Sequence, residues 1–187
     1  VSPFPLIDGC HPALSLEIYS GACIESGKFE EAHKHTDFLL DLRKSIYGEN
    51  DWRVGGMLGN LAGLYYKEGN FKKAIETYEE SIQVCRKADG DKHLGSAYTR
   101  LANSYRAVGN FDKAKLAYQK ALAMRTREYG ANSLRVAETK LELANLLRLT
   151  NQNILADKYK LDALRIIQSQ KKNKSGDLIS LVAMIAF

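Results

Sequence analysis

After its twelfth residue this chain has no proline. Pro3, Pro5 and Pro12 stand at the start, and nothing from Ala13 to Phe187 carries the ring that breaks a helix. Long helices are therefore permitted over almost the whole length. Cysteine is scarce as well: Cys10, Cys23 and Cys85 are odd in number and form no C-x-x-C pair. Free thiols in a reducing compartment, the cytoplasm, are the expectation. Long apolar runs are missing except for "LISLVAMIAF" at Leu178 to Phe187, whose ten residues are too few for a bilayer helix, which needs about 20. No signal-peptide pattern is seen, and a chain that opens on Val1 is expected to be a piece of a longer protein. No Ser/Gly/Pro linker divides the 187 residues, and 45% hydrophobic with 26% charged residues suits one globular unit with a real core.

A strong charge of one sign is also lacking. The net charge of +5 is spread along the chain, with its densest cluster at Lys171 to Lys174, "KKNK". Nucleic-acid binding calls for a coherent basic face with stacking aromatics, which is not seen. The mild basic bias suits an acidic peptide better. "KKNK" itself is expected to be a loop between helices.

Arrangements that carry chemistry are missing too. His33 and His35 are two residues apart and point to different helix faces, whereas a helical zinc site wants i, i+4 spacing. "GGMLG" follows no strand and lacks phosphate-loop spacing. Gly59-x-x-x-Gly63 has the spacing of a membrane dimer motif, but Lys67 and Glu68 follow at once. Glu30-Glu31 and Glu79-Glu80 read as solvated pairs. No Ser-His-Asp or Cys-His set can be assembled. No metal, no cofactor and no catalysis are expected.

What the chain does have is repetition, the first thing to look for in such a sequence. "YKEGNFKKAIETYEESI" at Tyr66 to Ile82 returns as "YRAVGNFDKAKLAYQKAL" at Tyr105 to Leu122. Gly27-Lys28-Phe29, Gly69-Asn70-Phe71, Gly109-Asn110-Phe111 and a degenerate Asn151-Gln152-Asn153 are spaced by 42, 40 and 42 residues. Five residues after each stands an alanine: Ala32, Ala74, Ala114, Ala156. Seven before stands a small residue, Ser20, Ala62, Ala102 or Ala144, preceded by Tyr19, Leu61, Leu101 or Leu143. Within a copy the apolar period is helical: Tyr98, Leu101, Ala102 and Tyr105 share one face. Each copy is thus a pair of antiparallel helices closed by a glycine suited to a left-handed cap. Helices are expected at about 13–25, 29–46, 52–68, 71–87, 92–108, 111–127, 133–149, 153–168 and 177–187. Small residues such as Ala62 and Ala74 mark where two helices approach closely, and larger ones there would over-pack. Each hairpin leaves an apolar face for the next to cover.

Leu61-Ala62-x-x-Tyr65, Gly69, Phe71, Ala74, Tyr78 and Leu101-Ala102-x-x-Tyr105, Gly109, Phe111, Ala114, Tyr118, Ala121 resemble the tetratricopeptide repeat. The 40–42-residue period, with Tyr47-Gly48…Val54 and Tyr129-Gly130…Val136 as links, is similar to the kinesin-light-chain type. The resemblance implies an all-α, right-handed superhelical solenoid of antiparallel helix pairs. After an N-terminal extension at residues 1–12, the domain would span 13–187, with repeats at about 13–50, 51–90, 91–130 and 131–172. Residues 177–187 are either the first helix of a fifth hairpin or a capping helix.

The resemblance also implies a groove lined by the first helix of each pair. Its positions fall on Leu14, Glu17, Gly21 and Ile24 in the first repeat. In the second they include Gly56, Gly59, Asn60, Gly63, Tyr66 and Lys67. In the third they include Arg100, Asn103 and Arg106, and in the fourth Glu138, Glu142, Asn145 and Arg148. Gly56, Gly59 and Gly63 would bare one helix face, either to a ligand or to a tightly packed neighbour. The Arg and Asn residues form a mostly cationic stripe, either able to hold carboxylates through planar guanidinium forks and peptide backbone through amides, or a solvated helix face on which Glu138 and Glu142 partly neutralise the arginines. A chaperone-tail carboxylate clamp does not fit, because Glu17 and Gly21 stand where its Lys and Asn belong. The expected function is a non-catalytic adaptor that binds an extended, acidic-containing peptide or short helix. The alternative is a structural scaffold, homo-oligomeric through the C-terminal helix or the Pro-Phe-Pro start. Neither nucleic acid nor membrane is an expected partner.

Overall fold

The computed structural model describes residues 22–23, 26–89 and 94–185, with side chains given as far as residue 170. Seven helices appear among them: α1 (Phe29–Tyr47), α2 (Trp52–Lys67), α3 (Phe71–Asp89), α4 (Leu94–Ala107), α5 (Phe111–Tyr129), α6 (Leu134–Leu149) and α7 (Asn153–Ile185). No strand occurs among the described residues. Most of the expected first helix of the first repeat, with Ser20, Tyr19, Leu14, Glu17, Gly21 and Ile24, lies outside them.

The chain divides into two compact units at Lys92/His93. α1, α2 and α3 pack in sequence in the first unit, and α4 to α7 do so in the second. Within each unit the extensive helix–helix contacts join chain neighbours, as in a repeat array.

The hairpin turns are built alike. Gly69 and Gly109 sit at φ of 81° and 76°, and each closes a helix with two bonds. At the first, Gly69 N–H donates to Tyr66 C=O and Asn70 N–H to Tyr65 C=O. At the second, Gly109 N–H donates to Arg106 C=O and Asn110 N–H to Tyr105 C=O. This is the left-handed helix ending that glycine adopts without steric cost. The degenerate copy keeps the geometry: Asn151 has φ 59°, with Asn151 N–H on Arg148 C=O and Gln152 N–H on Leu147 C=O. Asn tolerates this region better than other side chains because its short amide bonds locally. The alanines after each turn, Ala32, Ala74, Ala114 and Ala156, are fully buried.

Two links between hairpins share a corner. Gly48 and Gly130 have φ of 82° and 81°. Asp51 and Ser133 then cap the next helix, accepting from Arg53 N–H and Val136 N–H. Val54 and Val136 are buried just beyond. Arg53 lies over the Tyr47 ring at 4.4 Å and Arg135 over Tyr129 at 5.0 Å. Arg43 and Arg125 reach across to the same place, donating to Arg53 C=O and Arg135 C=O at 3.3 and 3.0 Å. Cys85 holds the matching position in α3, and the sequence that follows it, "RKADGDKH", has no Tyr-Gly pair and carries His93 where Arg53 and Arg135 stand in the other copies.

Close helix approach is governed by matched sizes. A Cβ on Gly55 would lie 2.3 Å from Cys85 Sγ, and one on Gly95 would lie 2.6 Å from Arg125 Cγ. In the last hairpin Ala137 is buried in a cluster with Val136, Ala163 and Ile166, against which Ile167 packs.

One expected break is absent. α7 runs without interruption from Asn153 to Ile185, straight through Lys171–Lys174. The expected loop there, and a separate helix beginning at 177, are replaced by continuous helix backbone. The segment holds no proline and only one glycine, Gly176, whose cost in a helix is about 1 kcal/mol, too small to enforce an end. Ala186 and Phe187 lie outside the described residues.

Candidate functional site

In the first unit the expected groove residues share α2. Its N-terminus is fixed by the Asp51 cap and its C-terminus by the Gly69 turn. Gly56 is exposed, and a Cβ there would meet nothing within 4 Å. Gly59 is different: Ser81 Oγ stands 3.3 Å from where its Cβ would be, and the Ser81 hydroxyl donates to Gly55 C=O at 2.7 Å. Helix packing therefore accounts for Gly59, and open space remains at Gly56. Asn60 and Lys67 are exposed, and Gly63 is half-buried. Tyr66 is half-buried and meets Phe71 edge-on at 5.3 Å between centroids. Beside it, His33 of α1 bonds Glu68 at 2.8 Å and packs on Tyr65 at 4.9 Å, so His33 serves the α1–α2 contact.

In the second unit α4 and α6 bring their groove residues together, joined where Arg106 Nη1 lies 3.7 Å from Glu142 Oε2. Arg148, next to last in α6, donates to Asp157 of α7 at 2.7 Å. Two of the three arginines are thus already balanced by carboxylates. Arg100 is exposed and makes no ion pair among the described residues. Asn145 is exposed too. Asn103 is half-buried, and its side-chain oxygen accepts from the buried Tyr118 hydroxyl. That bond commits the carbonyl end of the amide and leaves its NH2 group as the end that can donate.

A polar cluster between α5 and α6 is not among the expected site residues. Arg125 is only 8% exposed, donating to Thr139 Oγ1 at 2.8 Å and to Arg135 C=O, with Glu138 at 3.8 Å. Burial pulls its pKa down and Glu138 opposes the shift. The detectable signal is recurrence: Arg43-x-x-x-Tyr47 and Arg125-x-x-x-Tyr129 precede both glycine links. The cluster anchors α5 to α6.

Among the described residues no group of three His, Cys, Asp or Glu side chains comes together to hold a metal. No helix there is long and apolar enough to cross a membrane. The suggested self-association surfaces, "LISLVAMIAF" and Pro-Phe-Pro, fall where side chains or backbone lie outside the description.

Comparison with known proteins matches the tetratricopeptide repeat to residues 53–127 and 95–169. No curated protein matches by sequence. Solved structures do. BtubC (BKLC) from P. vanneervenii superposes with a TM-score of 0.74 at 20% identity, over 88% of this chain and 68% of that one. A putative kinesin light chain with nearly identical repeats, from Podosopora anserina, gives 0.71 at 17% identity, over 87% and 78%. MamA gives 0.64 at 17% identity, over 86% and 81%. At these identities the likeness is one of fold.

Proposed function

The chain belongs to the tetratricopeptide repeat family, a family of protein-interaction scaffolds, and from that premise we propose that it is a non-catalytic adaptor whose second unit binds an extended, acidic-containing peptide. The observation that carries this reading is Arg100. It is an exposed guanidinium with no ion pair among the described residues, one turn before Asn103 on the same helix, α4. A ligand carboxylate would gain a charge-assisted, bidentate contact there without displacing an internal partner. Asn103, held by Tyr118, and Asn145 would offer NH2 donors to peptide carbonyls. Fixed donors on packed helices lose little entropy on binding. Arg106 and Arg148, balanced by Glu142 and Asp157, would add less. In the first unit the open surface at Gly56, with Asn60, Gly59, Gly63, Tyr66 and Lys67, would take bulkier side chains of a ligand. The free thiols of Cys23 and Cys85 suit a cytoplasmic setting.

The test is selection of peptides from a displayed random library by the full chain, with Arg100→Glu/Arg106→Glu as control. Enrichment of acidic peptides that vanishes in the variant supports the reading. Enrichment of neutral or basic peptides, or acidic enrichment that survives the variant, overturns it.

A further inference from the structure

The outer face of α7 departs from its sister helices. Ile154 is 92% exposed and Leu161 51%, with Leu164 exposed beside them. These three lie at i, i+7 and i+10, along one stripe. The repeat register gives their counterparts. Ile154 matches Glu30, Lys72 and Asp112; Leu161 matches Asp37, Glu79 and Gln119. All six counterparts are exposed, although α1 and α5 both have a further hairpin packed after them. Stacking of another hairpin leaves these positions in water. A continued array would therefore cover Leu164, whose counterpart Leu122 packs on the next hairpin, but not Ile154 or Leu161. Two large apolar side chains where three sister helices carry polar ones mark a lateral contact surface.

Charge says what fits it. Asp157 and Arg165 stand one turn before and one turn after Leu161, both exposed. An antiparallel copy of α7, related by a two-fold axis at Leu161, sets each Asp157 opposite the Arg165 of the other copy, twice. It also stacks Leu161 on itself and brings Leu164 over the Lys158 stem. It lays Ile154 along the Gln168 stem, and such an isologous contact is self-complementary in charge. The present bonds, Arg148 to Asp157 at 2.7 Å and Arg165 to Asp162 at 3.6 Å, use exposed groups with acceptor and donor capacity to spare.

We propose that α7 pairs antiparallel with a second copy of this chain through Ile154, Leu161 and Leu164, with reciprocal Asp157–Arg165 ion pairs setting the register. The proposal is independent of peptide binding by the α4–α6 surface. Sedimentation velocity of the full chain over a concentration series tests it. A monomer–dimer equilibrium is expected, abolished by Leu161→Glu. Asp157→Arg or Arg165→Asp alone should weaken it by about tenfold, since each turns two attractive contacts into repulsive ones. The double exchange Asp157→Arg/Arg165→Asp should restore most of the loss. All four variants change exposed residues, and unaltered circular dichroism confirms their folding. A chain that stays monomeric throughout, a dimer indifferent to Leu161→Glu, or a double exchange no better than the singles overturns the proposal.

Discussion

Gly95 of α4 and Arg125 of α5 share one space: a Cβ on the glycine would lie 2.6 Å from the arginine Cγ. The crowded atom belongs to the base of the side chain, so it cannot swing clear without disturbing the bonds to Thr139 and Arg135. Gly95→Ala would gain the about 0.8–1 kcal/mol of helix propensity and lose about 1–3 kcal/mol to over-packing. A net destabilisation of about 1 kcal/mol is expected in urea denaturation. Arg125→Ala added to it should cost less than the sum of the singles, as contacting residues do. A more stable Gly95→Ala counts against this account.

Gly55 and Gly56 are adjacent and should respond with opposite signs. A Cβ on Gly55 meets Cys85 Sγ, Cys85 N and Ser81 O at 2.3 to 3.2 Å, whereas one on Gly56 meets nothing within 4 Å. Gly55→Ala is expected to destabilise, because backbone atoms cannot give way. Gly56→Ala should stabilise by up to about 1 kcal/mol. Thermal melts of the two variants decide it, and equal shifts refute the distinction.

Asn151 turns the last hairpin at φ 59°. Asn151→Ala should cost about 1 kcal/mol, since an ordinary Cβ is strained there by about 1–2 kcal/mol. Asn151→Gly should be tolerated. An alanine variant as stable as the glycine one contradicts the turn's role.

Burial raises the Cys85 thiol above its ordinary value. The folded state therefore holds its proton more tightly than the unfolded chain. Stability is unaffected below the unfolded thiol value of about 8.5 and falls as pH rises from there toward the raised folded value. Replacing Cys85 by Ala should flatten that part of the urea midpoint-versus-pH curve. The thiol should also alkylate more slowly at pH 8 than a free thiol, because the thiolate is the nucleophile. A slope identical in both proteins, or alkylation at the free rate, speaks against it.

Peptide binding should depend unequally on the arginines. Arg100→Ala is expected to weaken an acidic peptide selected from the library more than Arg148→Ala, whose side chain already bonds Asp157. The contrast should shrink with added salt, which screens exposed charges. Calorimetric titration gives the ranking, and a larger loss at Arg148 reverses the assignment.

Most of the scaffold was legible because its devices are local. Gly69, Gly109 and Asn151 announce their turns through spacing and residue type, and Ala74 or Ala114 announces burial five residues later. What lay hidden is decided across distance. Nothing in the spacing of Arg106, Arg148 or Arg125 tells which meets Glu142, Asp157 or Thr139, because each pair joins separate helices. Weak local signals also mislead: "KKNK" reads as a loop, yet none of its residues is costly enough to end α7. Of the candidate site, residue types and faces could be read, but not which arginine was left without a counter-charge.

The paired sizes at the helix crossings bear on how such a chain can be rebuilt. Gly55 goes with Cys85 and Gly95 with Arg125, and the repeat register sets Ala137 with Ile167, which packs on the same cluster, each small residue on one helix matching its own larger partner on the next. Whole hairpins carry both halves of the match and can be duplicated or transplanted together. Single helices cannot: α6 in place of α4 would set Ala137 against Arg125. The natural piece for recombination, in a laboratory or in a genome, is the helix pair.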